Sequence, residues 1–178
     1  WEGGVRVPCV MRWPGQIPAG TTCTEPAMTI DVLPTIAALL DADLPEQKID
    51  GKNIWPLIAG TPGAKSPHEA YYFYYNANDL LAIRSGPWKM HVPQSYRSLD
   101  GKPGGTNGIP AKYVQLKTGL ALYNLEKDIS EKNNVASENP EVVKQLTALL
   151  DKMRADLGDS LQKIPATGAR KPGRITED

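Results

Sequence analysis

Histidine and cysteine are scarce in this chain of 178 residues: His68, His91, Cys9 and Cys23 are the full complement. Two cysteines cannot staple a chain of this size, and without a C-x-x-C pair or a histidine cluster there is no zinc signature. The sequence also lacks a G-x-S-x-G elbow, a phosphate-binding P-loop, a G-x-G-x-x-G turn and an H-E-x-x-H pair. Apolar runs are short, IAALL at 36–40 being typical, whereas a bilayer crossing needs roughly 20 apolar residues. Twenty basic residues balance twenty acidic ones, so no global field draws in nucleic acid or an anionic membrane surface. No membrane span and no nucleic-acid partner are expected. The last stretch, LQKIPATGARKPGRITED, is only mildly basic and reads as a solvated tail.

With 40 % apolar and 22 % charged residues the composition is that of a folded globular chain. The opening WEGGVRVPCVMRWPG has no initiator methionine and no signal peptide, so the chain reads as if cut from something longer. VRVPCVMRW, bounded by Gly-Gly and Pro-Gly, predicts a buried strand, with Pro8 arguing for an edge or a bulge. In TIDVLPTIAALLDADLP, Asp31 is placed to cap a helix whose Val32, Ile36, Leu39 and Leu40 share one face, and Pro34 fits its first turn. HEAYYFYYN, LLAIRS and WKMHV, separated by turn residues, predict an antiparallel meander. PQSYRSLDGKPGGTNGIPAKYVQLKTG is too long for an ordinary hairpin connection, and loops of that length are often functional or disordered. LALYNL then returns as a strand. Asn139 and Pro140 open a helix with Val142, Val143, Leu146, Leu149, Leu150, Met153 and Leu157 on one face.

The expected fold class is α/β: residues 1–65 as a piece of a larger α/β layer, 66–160 as a small α+β subdomain with one helix over an antiparallel sheet, and 161–178 as a flexible tail. Candidate chemistry is thin. His68 reads as a loop histidine facing solvent. His91 ends a strand that runs into the long loop, where a side chain can meet a ligand or simply be satisfied by local hydrogen bonds. The carboxylate pairs Asp41/Asp43 and Asp156/Asp159 read as solvated surface charge. The run Tyr71–Tyr75 alternates between two strand faces, one of them core and the other either packed or lining a sugar cleft. Cys9 and Cys23 are expected as free thiols, Cys9 as a small apolar residue in mid-strand.

Three motifs say more. WEGGVRVPCVMRWPG followed by IDVLPTIAAL resembles the (Y/W)-E-G-G-x-R-V-P, R-W-P-G and D-x-x-P-T stretch of the type I, formylglycine-dependent sulfatases, the arylsulfatase and N-acetylgalactosamine-6-sulfatase type included. LAIRSGPWKMH is similar to that family's A-x-R-x-G-x-W-K-x-H, and LYNLEKDISEKNNVA to its L-Y-D-L-x-x-D-P-x-E-x-x-N-x-A. Asn124 and Ile129 depart from the family's Asp and Pro. Gln94 stands where close bacterial relatives often carry a second histidine.

The resemblance implies the C-terminal end of an alkaline-phosphatase-like core plus its small subdomain, in a periplasmic or secreted enzyme that hydrolyses sulfate esters of sugars or glycans. The family's formylglycine arises in a C/S-x-P-x-R motif, and its calcium is held by Asp-Asp and Asp-Asn or Asp-His pairs. All would precede Trp1, and Cys9, in VPCVM, does not fit that motif. This chain is then expected to hold no catalytic residue and no metal ligand, to have the upstream part of the same polypeptide as its partner, and to be inactive alone. By resemblance His91 faces the cleft and contacts the sugar or the leaving-group oxygen. Two other readings remain: a non-catalytic α+β module binding a glycan or partner through the aromatic strand, and a piece of an alkaline-phosphatase-like phosphoester or phosphonate hydrolase.

Overall fold

A computed structural model describes residues 1–170. Among them are four α-helices, α1 (Glu2–Val5), α2 (Val32–Leu40), α3 (Trp55–Ile58) and α4 (Pro140–Leu157), and six strands. The strands are β1 (Tyr71–Tyr75), β2 (Asp79–Ser85), β3 (Trp88–His91), β4 (Gln94–Ser98), β5 (Val114–Thr118) and β6 (Ala121–Asn124). The chain divides into two compact units, residues 1–5 with 70–178, and residues 6–69.

In the first unit the expected meander is present, with β6 added to it: four antiparallel strands in the order β1-β2-β3-β6. Helix α4 covers one face. Leu146 and Leu150 of α4 are buried with Ile83, Met90 and Leu122 from neighbouring strands, and Val142, Val143 and Leu149 pack around them. Between Phe73 and Tyr74 the register of β1 slips past Leu81 of β2. An extra residue on one strand reverses its facing order, and Leu80 and Ile83 both reach the helix-covered core as a result. Tyr72 and Tyr74 pack on the same core.

The long polar stretch after His91 is not a plain loop. β4 and β5 lie within it and pair as a two-stranded antiparallel ribbon, from Gln94↔Thr118 to Ser98↔Val114. Beyond α4 the chain turns back. Asp159 is fully buried, accepts from the backbone N–H of Leu80 and Leu161, and is paired with Arg154 Nε at 3.0 Å. Asp159 is therefore no solvated surface charge, because two amides and a guanidinium replace its water. The first part of the expected tail is tied down: the Ile164 backbone N–H bonds to the Asp159 carbonyl, and those of Thr167 and Gly168 bond to the Asp156 carbonyl. Residues 171–178 lie outside the described residues.

In the unit of residues 6–69, VRVPCVMRW does not form a strand. Val5 ends the short helix α1, residues 6–13 are irregular and in no strand ladder, and Val10 is 93 % exposed. A strand needs a neighbouring edge to bond, and the described residues offer this stretch none. Cys9 and Cys23 are free thiols, both exposed, so Cys9 is not a buried apolar residue here. Helix α2 starts where Asp31 and Pro34 predict, yet its sides are reversed. Pro34, Thr35 and Ala37 are buried, while Val32, Leu33, Ile36, Leu39 and Leu40 are exposed.

Gly158, which stops α4, has φ 77 and ψ −179, a region essentially restricted to glycine. A Cβ there would come within 2.7 Å of the Ala166 nitrogen and 2.8 Å of the Ile164 oxygen. Gly158→Ala is expected to cost about 2 kcal/mol in urea unfolding, and an unchanged midpoint would contradict the anchoring of residues 158–168.

Candidate functional site

The sheet face away from α4 is ionic. Strand alternation in WKMH sends Met90 into the apolar core and Lys89 and His91 to the opposite face. Across the sheet Lys89 is flanked by Arg84 and Tyr123, and His91 by Ala82 and Ala121. Two carboxylates close over these cations. Lys89, 1 % exposed, holds Glu2 Oε1 at 2.8 Å and Glu131 Oε1 at 3.0 Å, with its ammonium 5.0 Å from the centre of the Phe73 ring. Glu2 Oε2 lies 3.9 Å from Arg84, and the backbone N–H of Glu2 donates to Glu131 Oε2. Two cations meet two anions, and a charge-balanced group of this kind tolerates burial that a lone ammonium would not.

His91 belongs to the same cluster. Its Nε2 is 2.8 Å from Glu131 Oε1 and its Nδ1 is 3.4 Å from Gln94 Nε2, which also donates to the Leu81 carbonyl. Trp1 lies over the imidazole with ring centroids 4.2 Å apart, and Tyr123 meets it edge-on at 5.9 Å. Burial pushes the His91 pKa below 6.5, helped by Lys89 and opposed by Glu131, so the ring is neutral at pH 7 and donates from Nε2 to Glu131. For Glu131 burial acts upward, but the hydrogen bonds from His91 and Glu2 and the charge of Lys89 outweigh it and hold the carboxyl at about 2.

Within this chain both ring nitrogens of His91 have partners, Glu131 at Nε2 and Gln94 at Nδ1. Sequence reasoning found His91 and missed Glu2, Lys89 and Glu131. The missed signal was the lysine two residues before the histidine: both fall on one strand face, and a buried lysine demands carboxylates.

The unit of residues 6–69 has a smaller knot of the same kind. Asp31, fully buried, accepts from the backbone N–H of Met28 and Lys52, and its Oδ1 is 2.6 Å from His68 Nε2. Asp31 therefore stands at the N-cap position of α2 with its carboxylate turned to other partners, and the side chain of His68 is only 7 % exposed, which corrects its reading as a solvent-facing histidine. Thr35 bridges the Asp31 carbonyl and the Ile54 N–H. Gly51 passes so close that a Cβ would sit 1.9 Å from the Ile30 oxygen. An open groove of about 790 Å³ in this unit is lined by Cys9, Met11, Trp13, Cys23, Ile54 and Leu57 among others. Among the described residues no group of three or more His, Cys, Asp or Glu is arranged to hold a metal ion. The buried carboxylates Glu2, Asp31, Glu131 and Asp159 are all engaged by protein donors.

The ionic cluster thus ties together three separated stretches, WEGG through Glu2, WKMH through Lys89 and His91, and LYNLEKDISE through Glu131. Two family models together cover these stretches. Residues 66–170 match the C-terminal region of aryl-sulfatase, and residues 1–89 match the C-terminal part of N-sulphoglucosamine sulphohydrolase. The chain belongs to the sulfatase family.

Among its relatives, human arylsulfatase A is 35 % identical over 96 % of this chain and 34 % of its own length, and mouse steryl-sulfatase 37 % identical over 78 % and 23 %. An N-acetylgalactosamine-6-O-sulfatase of Bacteroides thetaiotaomicron is 30 % identical over 86 % of this chain and 28 % of its own length. The chain therefore spans about a quarter to a third of these relatives. Of solved structures, Ps i-CgsB in complex with k-i-k-neocarrahexaose superposes with TM-score 0.54 at 27 % identity, covering 79 % of this chain and 27 % of that one. The PsFucS1 sulfatase of Pseudoalteromonas sp. shares the fold at TM-score 0.61 and 19 % identity, over 87 % of this chain and 30 % of its own.

Glu131→Gln leaves Lys89 with one carboxylate and is expected to cost about 3 kcal/mol at neutral pH. Glu131 binds its proton more weakly folded, at about 2, than at its ordinary 4.5. Its contribution is therefore complete above pH 4.5 and is lost as the pH falls toward 2. His91, also lowered, adds a loss that begins as the pH falls below 6.5. Unfolding midpoints measured against pH should show both windows in the native chain and only the upper one in Glu131→Gln. Parallel curves in acid would contradict the assignment.

Proposed function

We propose that this chain, joined to the rest of its polypeptide, forms a sulfatase that hydrolyses sulfate esters of sugars or glycans. The observation that carries this reading is the meeting of three family motifs in one buried cluster. The glycan class is supported by the relative named N-acetylgalactosamine-6-O-sulfatase and by the neighbour crystallised with a neocarrahexaose. Our reading includes a calcium ion and a formylglycine nucleophile, a bacterial source, and export to the periplasm or beyond. Among the described residues no group fits a metal ion, since the buried carboxylates are already engaged. Nor does Cys9, in VPCVM, fit the formylglycine motif. No step through either group is assigned to this chain, and the upstream part of the polypeptide supplies both.

This chain's share of the work is then to hold one wall of the substrate cleft. Sulfate transfer from an ester builds negative charge on oxygen, and fixed positive groups lower its barrier only if they do not shift. A sheet whose outer face is locked by balanced charges is a rigid support of that kind. His91 serves through this cluster as a positioning residue, since its neutral ring fixes Glu131 and stacks under Trp1.

The test compares the isolated chain with the full-length polypeptide on an aryl sulfate, with calcium added to both. Turnover by the full-length protein alone is the expected result. Turnover by the verified isolated chain, or a full-length protein that cleaves aryl phosphates in preference to sulfates, would overturn the reading.

A further inference from the structure

The β4–β5 ribbon forms a sheet of its own that touches the ionic cluster only from its inward face, through Gln94 at His91 and Tyr96 at Trp1, and its two faces differ. Gln94, Tyr96, Ser98, Val114, Leu116 and Thr118 are half-buried, and Tyr96 meets Trp1 edge-on at 5.2 Å. The alternate residues Ser95, Arg97, Gln115 and Lys117 are exposed. Their register, Ser95↔Lys117 beside Arg97↔Gln115, makes Arg97 and Lys117 diagonal neighbours on one face, about 7 Å apart at Cα.

Charge sets this segment apart. Residues 92–119 carry Arg97, Lys102, Lys112 and Lys117 against the single acid Asp100, in a chain whose total charge is zero. Lys102, Lys112 and the 54 %-exposed Tyr113 stand in the connection between the two strands. Like charges at diagonal positions repel, and folding gains nothing from them, because the ribbon is fastened through Tyr96 on its other face.

We propose that the outward face of the β4–β5 ribbon, with Arg97 and Lys117 at its centre, binds a sulfated polysaccharide chain. This deepens the reading given above and rests on it: an enzyme of sulfated glycans meets its substrate as a repeating anion. A sulfate ester carries one negative charge spread over acceptor oxygens and no donor. It is complemented by guanidinium and ammonium groups with neutral donors between them, as Ser95 and Gln115 are here. An exposed tyrosine adds an amphipathic ring against which the C–H face of a sugar can lie. Nucleic acid fits this face less well, since a duplex is bound by longer arrays of cations than one short ribbon offers.

A different explanation of the same charges is that they keep a two-stranded edge from pairing with other chains, and the experiment separates the two. The full-length protein is titrated with dextran sulfate, unsulfated dextran and duplex DNA, and its aryl sulfate turnover is followed in parallel. Arg97→Gln with Lys117→Gln is compared with Lys144→Gln with Lys152→Gln, a pair of exposed lysines on α4.

The native protein is expected to bind dextran sulfate, increasingly weakly as salt rises, and not dextran. The ribbon variant should bind dextran sulfate about tenfold more weakly, with the helix variant and both aryl sulfate rates unchanged. A ribbon variant that binds like the native protein, an equal loss in the helix variant, or duplex DNA bound as tightly as dextran sulfate would each overturn the proposal. Absence of aryl sulfate turnover in the native protein would instead count against the sulfatase reading, and the binding comparison is read independently of it.

Discussion

Lys89 is the constraint around which one unit of this chain is arranged. An ammonium at 1 % exposure has lost nearly all its water, and the cost of leaving it unpaired, about 3–5 kcal/mol, is a large share of a domain's stability. Its position in β3 is set by strand alternation, because the same turn of backbone that buries Met90 under α4 must send Lys89 to the opposite face. Partners must therefore come to it. One comes from the first helix, α1, and the other from the turn after β6. The charge of one side chain thereby fixes where residues far apart in sequence come to rest, which an apolar contact, having no direction, would do less sharply.

Asp31 plays the corresponding part among residues 6–69, with the signs exchanged. One buried carboxylate collects two backbone amides and the imidazole of His68, and Thr35 carries the arrangement on to Ile54. The helix that follows is thus held through Thr35 on the side that buries Pro34 and Ala37, with its larger apolar side chains outward. Hydrogen bonds to a buried anion are directional and individually stronger than a methyl contact. They can orient a short helix without the burial that usually does so.

The sheet and the covering helix were legible in the sequence because both rest on local periodicity. Alternation in WKMHV and the spacing of Leu146 and Leu150 each name a buried face without knowledge of its partner. The strand expected at VRVPCVMRW shows the limit of that reasoning. Its residues favour extended backbone, but a strand is completed by hydrogen bonds from elsewhere, and propensity does not contain them. The family itself was legible from three motifs, whereas the cluster that joins them was not. Glu2, Lys89 and Glu131 look like surface residues one at a time, and only their pairing, across 129 positions for Glu2 and Glu131, makes their burial affordable. His68 and Asp159 were misread for the same reason, since polar residues were judged by type and not by what their partners replace.

Glu131 shows which requirement prevails when local and distant demands conflict. Its φ of 53 lies in the left-handed region, which costs a side chain with a Cβ about 1–2 kcal/mol and which Gly, Asn or Asp would occupy more easily. Glycine would relax the backbone and leave Lys89 and His91 without a carboxylate. Asn would bring no charge, and Asp would bring it on a stem one methylene shorter, from a turn whose distance to β3 is fixed by β6. Against an unpaired buried ammonium at about 3–5 kcal/mol the strained backbone is the smaller term. Glutamate therefore stands at a position whose local conformation argues against it. The residue is chosen by the reach and charge needed at β3, and the turn accommodates it.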